Sequence, residues 1–173
     1  MQNKNFNMKP QDVVILFKIL SLGERDWNQQ LLSRELGISQ SEISESLRRS
    51  NYAGLLNLTS GHVNRRAFYE FIVNGIKFVF PQRPGPIVKG IPTAHSAPIL
   101  RNEMMSEEQY VWPLSNGYAR GQAIIPLYRT VPVAIQRDNL LYDYLALVDA
   151  IRVGRTRESN LSKQKLKELI QNA

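Results

Sequence analysis

Ser39, Gln40, Ser41, Ser44, Glu45, Arg48 and Arg49 crowd into one short stretch, "SQSEISESLRR". Short hydroxyls, an amide and a carboxylate are the donors and acceptors that fit base edges. Guanidinium groups fit phosphates or the outer edge of guanine. Ile43 and Leu47 recur among them at helical spacing, so the polar groups would share the outer face of a helix anchored by its apolar side. Ser39 followed by Glu42 is a capping pair that would open this helix, over about 40–51. Arg65 and Arg66, at the start of a later helix, would add contacts to a phosphate backbone.

Elements on either side must hold that helix in place. In "PQDVVILFKILSL" (residues 10–22), Val13, Leu16, Phe17 and Leu20 form an amphipathic stripe, with Pro10 in the first turn and Gly23 after the last. Asp26 and Gln29 are a plausible capping pair for a second helix, "NQQLLSREL" (28–36). A very short turn then joins it to the third helix. Such a junction needs a glycine where the chain reverses, a small contact residue and apolar anchors. Gly37, Ser33, Leu32, Leu36 and Ile38 meet those needs.

"LSRELGISQSEISESLRR" resembles the DNA-binding segment of bacterial helix-turn-helix regulators, and its context resembles the winged-helix type typified by the MarR regulators. The resemblance implies double-stranded DNA as partner, the helix at 39–51 in the major groove, and a two-fold dimer acting as an (auto)repressor. One departure is visible. Where a wing should follow, "LNLTSGHVN" is short and carries only His62 before Arg65 and Arg66, so a reduced wing is expected. The same helical geometry also serves plain scaffolds and protein-docking modules.

Asn64 would cap a fourth helix, "RRAFYEFIVN", with Gly75 as its stop and "IKFVF" (76–80) as a short strand. A composition break follows. "PQRPGPIVKGIPTAHSAP" (81–98) is rich in proline and glycine, which argues for an extended connector or surface loop. The expected organisation is therefore α+β. Residues 1–80 form a winged helix-turn-helix domain, and residues 81–173 a small α/β region with a β-hairpin and a long C-terminal helix. The hairpin would turn at Asn116-Gly117. Asp138 would cap "NLLYDYLALVDAIRV", which carries a stripe of Leu141, Tyr144, Leu145, Val148 and Ile151; Gly154 either interrupts that helix or is tolerated in it. "SKQKLKELIQNA" reads as a short basic helix.

No catalytic arrangement is legible. His62 and His95 lack paired metal-ligand spacing, and no phosphate-cradling glycine loop is present, so neither cofactor nor metal is expected. His95 and Ser96 are neighbours in an extended segment and would point apart, which does not make a nucleophile–base pair. His95 reads as a hydrogen-bonded loop residue. A ligand sensor around Gly90–Pro98 is the weakest alternative.

The chain has 173 residues and no cysteine, enough for a core without disulfides and consistent with a reducing cytoplasm. Its leading residues, "MQNKNFNMKPQD", are polar, and no apolar run reaches the roughly 18 residues of a membrane span. The net charge is +7, from 22 Lys and Arg against 15 Asp and Glu. It is concentrated in residues 1–80 (ten basic, seven acidic) and 152–173 (six basic, two acidic). Such an excess either favours polyanions or only keeps the chain soluble.

Tyr110, Trp112, Tyr118 and Tyr128 are either interface or core. Arg152, Arg155 and Arg157 either line a solvated face or lie on phosphates or an acidic partner. "RGQAIIPLYRTVPVAIQRDNLLYDYLALVDAIRVGRTRE" is similar to C-terminal regions behind helix-turn-helix domains in small bacterial regulators. Some of those resemble antitoxins that cap a toxin and repress their own operon. The resemblance implies dimerisation through residues 81–173 or, as the alternative, capture and neutralisation of a partner enzyme.

Overall fold

A computed structural model describes residues 5–173. The first four residues of the polar leading stretch lie outside it. The chain is an α+β protein. Helices α1 (Pro10–Leu22), α2 (Gln29–Leu36) and α3 (Gln40–Tyr52) come first. A small ladder, β1 (Leu56–Asn57) with β2 (His62–Val63), follows, and then α4 (Arg65–Val79). Strands β3 (Ile87–Pro92), β4 (Tyr110–Pro113) and β5 (Ala119–Ala123) come next. The chain ends with a short α5 (Val131–Ala134), then α6 (Asn139–Val153) and α7 (Thr156–Gln171).

Helix α1 departs from the amphipathic reading. Every residue from Asp12 to Leu20 is buried, Lys18 included. The reason is its position: it packs on α2, α3 and β2 and also on α6. Its polar residues are therefore paired. The Lys18 ammonium sits 2.6 Å from Glu35 of α2 and 2.7 Å from Asp138, the N-cap of α6. A buried charge is tolerated only when partnered, and this one ties three helices together.

The second helix begins at Gln29, capped by Asn28, whose side chain accepts from the Leu31 amide at 2.8 Å. That cap replaces the expected Asp26–Gln29 pair. Ser39 does cap α3, as its spacing predicts. Gly37 between these helices has φ +64°, the left-handed conformation that closes α2, where any side chain is strained.

Neither the stop at Gly75 nor the strand at 76–80 exists. Helix α4 runs on to Val79 because Ile76 continues the fully buried stripe of Phe68 and Ile72. That burial outweighs the roughly 1 kcal/mol that an interior glycine costs a helix.

Residues 81–98 are more than a connector. Ile87–Pro92 is the middle strand of a closed three-stranded barrel, antiparallel to both β4 and β5. Its prolines lie before the strand or at its last position, so they remove no donor from its middle. Residues Thr93–Ala97 are buried.

Asn116-Gly117 does not make an antiparallel hairpin. Strands β4 and β5 run in the same direction, successively along β3. The end of β5 returns beside the start of β4, pairing Tyr110 with Gln122 and Val111 with Ala123. Glycines permit this curl. A Cβ on Gly90 would lie 2.0 Å from the Trp112 carbonyl oxygen, and one on Gly117 2.4 Å from the Gly90 backbone.

The core crosses residue 80 without interruption. Phe17 of α1 stacks on Tyr144 of α6 (centroids 4.9 Å apart) and tilts against Phe68 of α4 (4.6 Å). A second link is Asp149, buried in α6. It accepts from Thr93 Oγ1 (2.8 Å), Trp112 Nε1 (2.6 Å) and Arg152 Nη1 (2.9 Å), while Arg152 Nε reaches the Phe80 carbonyl (2.9 Å). Arg152 is thus a buried structural cation, whereas Arg155 and Arg157 are exposed. Gly154 does end α6, and α7 begins six residues before the expected basic segment. No helix among the described residues is long and apolar enough to cross a membrane.

Candidate nucleic-acid interface

Helix α3 is held from within by Ile43 and Leu47, both buried against α1 and α2. Its opposite face carries most of the expected residues. Ser39, Gln40, Ser41 and Glu45 are exposed, while Ser44 and Arg48 are half-exposed.

The first turn is ordered by a local network. Ser39 Oγ accepts from the Glu42 amide (3.3 Å), donates to Glu42 Oε2 (3.1 Å) and lies 3.2 Å from Ser41 Oγ. The Glu42 carboxylate is thereby turned toward the cap. Arg48 Nη1 donates to Glu45 Oε1 at 2.9 Å within the same helix. A surface pair of this kind contributes about 0–1 kcal/mol, so a phosphate could take over the guanidinium at little cost.

Arg49 does not belong to this face. Its guanidinium is buried and makes a bidentate pair with Asp12, Nε to Oδ2 at 2.9 Å and Nη2 to Oδ1 at 2.6 Å. The Asp12 hydrogen bonds raise the arginine's pKa against the opposing effect of burial. One residue is 100° of helix, which is why Arg48 and Arg49 point to different environments. Arg49 fastens α3 to α1, and Asp12 in turn accepts from the Lys9 amide.

The wing position holds only the two-residue strands β1 and β2, in register Leu56 with Val63 and Asn57 with His62. Its tip folds back on the body, where Trp27 Nε1 donates to the Gly61 carbonyl at 3.1 Å. Between them lies a groove of about 600 Å³, lined by Trp27, Leu47, His62 and Arg65 among others. Arg65 is exposed at its edge. Arg66 is exposed too, but its Nε bonds Glu70 at 3.1 Å. Helix α4 packs chiefly on α6 and α7, and Arg65 at its start borders the same groove as Leu47 of α3.

Sequence reading missed a contribution from the C-terminal half. Thr130 Oγ1 donates to the Leu36 carbonyl at 2.6 Å, and Tyr128 Oη donates to Glu42 Oε2 at 3.3 Å. Residues 128–130 therefore rest on the α2–α3 turn. Nothing in the local pattern signals a contact across about ninety residues of chain, apart from Gly37 itself, whose missing Cβ would have met Thr130 Cγ2 at 3.3 Å.

Of the other aromatics, Trp112 is core and Tyr118 is exposed. His95 is buried, with Nε2 2.6 Å from the Glu108 carbonyl, the hydrogen-bonded role its context predicts. Compared with models of protein families, with curated proteins and with solved structures, the chain matches none.

Proposed function

We propose that this chain is a sequence-specific double-stranded DNA-binding regulator of transcription. On this reading residues 10–64 form a helix-turn-helix with a reduced wing, and α3 enters the major groove. The observation that carries the reading is the outer face of α3. Ser39, Gln40, Ser41, Ser44 and Arg48 present donors and acceptors outward, while Ile43, Leu47 and Arg49 hold the helix from the other side. Gln40 matches adenine and Arg48 matches guanine or a phosphate. Arg65 and Arg66 are assigned at most to flanking phosphates. Two copies would read two half-sites about one helical turn apart. Exposed apolar side chains of the C-terminal half, such as Ile87, Tyr118 and Ile125, are suited to the contact between copies.

The test is selection of bound duplexes from a random-sequence pool by the purified full-length chain, followed by competition with unselected DNA. Enrichment of one motif, with half-sites at the expected spacing, is the predicted result. Gln40→Ala and Arg48→Ala should each lose affinity for it by roughly 5- to 150-fold, the equivalent of the 1–3 kcal/mol carried by a base contact. A pool that stays unenriched after several rounds rejects the reading.

A further inference from the structure

We propose that the DNA-binding surface continues from α3 onto the neighbouring end of α2 and the C-terminal half, where Arg34 of α2 with Arg129 and Arg137 forms a track for the phosphate backbone. This rests on the reading of α3 above and names which further part of the chain meets the same duplex.

Three observations carry it. First, residues 128–130 are fixed on the edge of the α3 face rather than resting loosely near it. Tyr128 bonds Glu42 in the first turn of α3, and Thr130 bonds the last turn of α2. A duplex seated on Ser39–Ser41 would have this segment beside it.

Second, Arg129 lies between those two anchors and is exposed. Its Cζ is 5.7 Å from the Tyr128 ring centroid, inside the range of a cation–π contact. The ring orients the guanidinium without neutralising it, and no ion pair involves Arg129 among the described residues.

Third, beyond Thr130 a groove of about 740 Å³ opens between the end of α2 and residues 130–139. Arg34 and Arg137 stand along it. The Arg34 side chain is 72% exposed, and its one carboxylate neighbour, Glu35, is 4.0 Å away. Arg137 is exposed with no ion pair among the described residues. The two acids on the groove, Glu35 and Asp138, are already engaged by Lys18 at 2.6 and 2.7 Å. The outward cations are therefore left for an external anion.

A phosphate backbone fits, because Arg34 and Arg137 line one groove with Thr130, and Arg129 stands exposed next to Thr130 at the α3 side. Contacts of this kind position a protein on the duplex without reading bases. Both halves would then be needed for DNA affinity, which agrees with their shared core.

The experiment measures Kd for the selected duplex and for a random duplex, over about 50 to 200 mM salt. It uses the full chain and the variants Arg129→Ala, Arg129→Gln, Arg34→Ala and Arg137→Ala. Each lost phosphate contact should flatten the plot of log Kd against log salt by about 0.9. Affinity for both duplexes should fall alike, so their ratio stays constant. Arg157→Ala, an equal loss of charge on α7, should leave the slope unchanged. Unaltered slopes in the Arg129 and Arg137 variants, with Arg48→Ala still weakening binding, would overturn the track and leave the α3 reading intact. Tighter binding by Arg129→Ala would overturn it as well, since the segment would then be shielding α3. If the wild-type chain prefers no duplex, both readings fall together.

Discussion

Arg48 and Arg49 are adjacent in sequence and should fail in opposite ways. Arg49→Ala strips a buried carboxylate of its bidentate partner. Asp12 is wholly inaccessible to solvent and would keep only the Lys9 amide as a donor. Breaking a buried pair by removing one member costs about 3–5 kcal/mol, mostly for the stranded charge. For a chain of this size each kcal/mol moves Tm by about 2–4 °C, so the loss should be about 6–20 °C.

Arg48→Ala removes only a half-exposed guanidinium paired with Glu45. Its Tm should change by no more than about 2–4 °C, on a surface-pair contribution of about 0–1 kcal/mol. Melting followed by circular dichroism separates the two. A double-mutant cycle of Arg49→Ala with Asp12→Ala should reveal coupling of several kcal/mol, because the second change removes the charge that the first left stranded. If Arg49→Ala melts within about 2 °C of wild type, the buried pair does not hold α3 to α1 as argued. If it also abolishes DNA binding at full stability, Arg49 returns to the outer face.

Three further outcomes rest on the same kind of reasoning. Gly90→Ala would press a methyl group onto the Trp112 backbone, which has no flexible end to yield, so unfolding in urea should show a loss of about 3 kcal/mol or more. Gly75→Ala meets only the Phe71 ring at 3.2 Å and restores helix propensity, so it should stay within about 1 kcal/mol of wild type; equal losses at the two sites would refute the barrel packing. Burial alone would raise the Asp138 pKa, but hydrogen bonds from Lys18, the Leu141 amide and Ser21, together with the Lys18 charge, outweigh it and hold the carboxyl below its ordinary value. A carboxyl lowered in the folded state stabilises above its unfolded pKa, and that contribution is lost as pH falls through the folded one. Tm should therefore drop as pH falls below about 4, more steeply for wild type than for Asp138→Asn. Parallel acid limbs would show that Asp138 takes no part.

Short-range physics made much of this protein legible from its sequence. The caps at Ser39, Asn64 and Asp138, the reversal at Gly37, and the apolar spacing of Ile43 and Leu47 and of α6 all depend on groups within one or two turns of each other. Such groups act through local sterics and hydrogen bonds whatever the rest of the chain does. The outer face of α3 was readable for the same reason, down to Ser39, Gln40, Ser41 and Arg48.

What failed depended on partners far along the chain. Arg49 points inward because Asp12 waits there, and no helical pattern records a carboxylate 37 residues away. Ile76 extends α4 because a core is available to cover it. Residues 87–92 become a central strand because β4 and β5 wrap around them on glycines. The placement of Tyr128, Arg129 and Thr130 on the α2–α3 turn is likewise a matter of packing between halves. Local propensity and capping determined that α1, α3 and α6 form and where they start. The tertiary structure alone decided which faces are covered, because burial belongs to the pair of surfaces that meet and not to either sequence by itself.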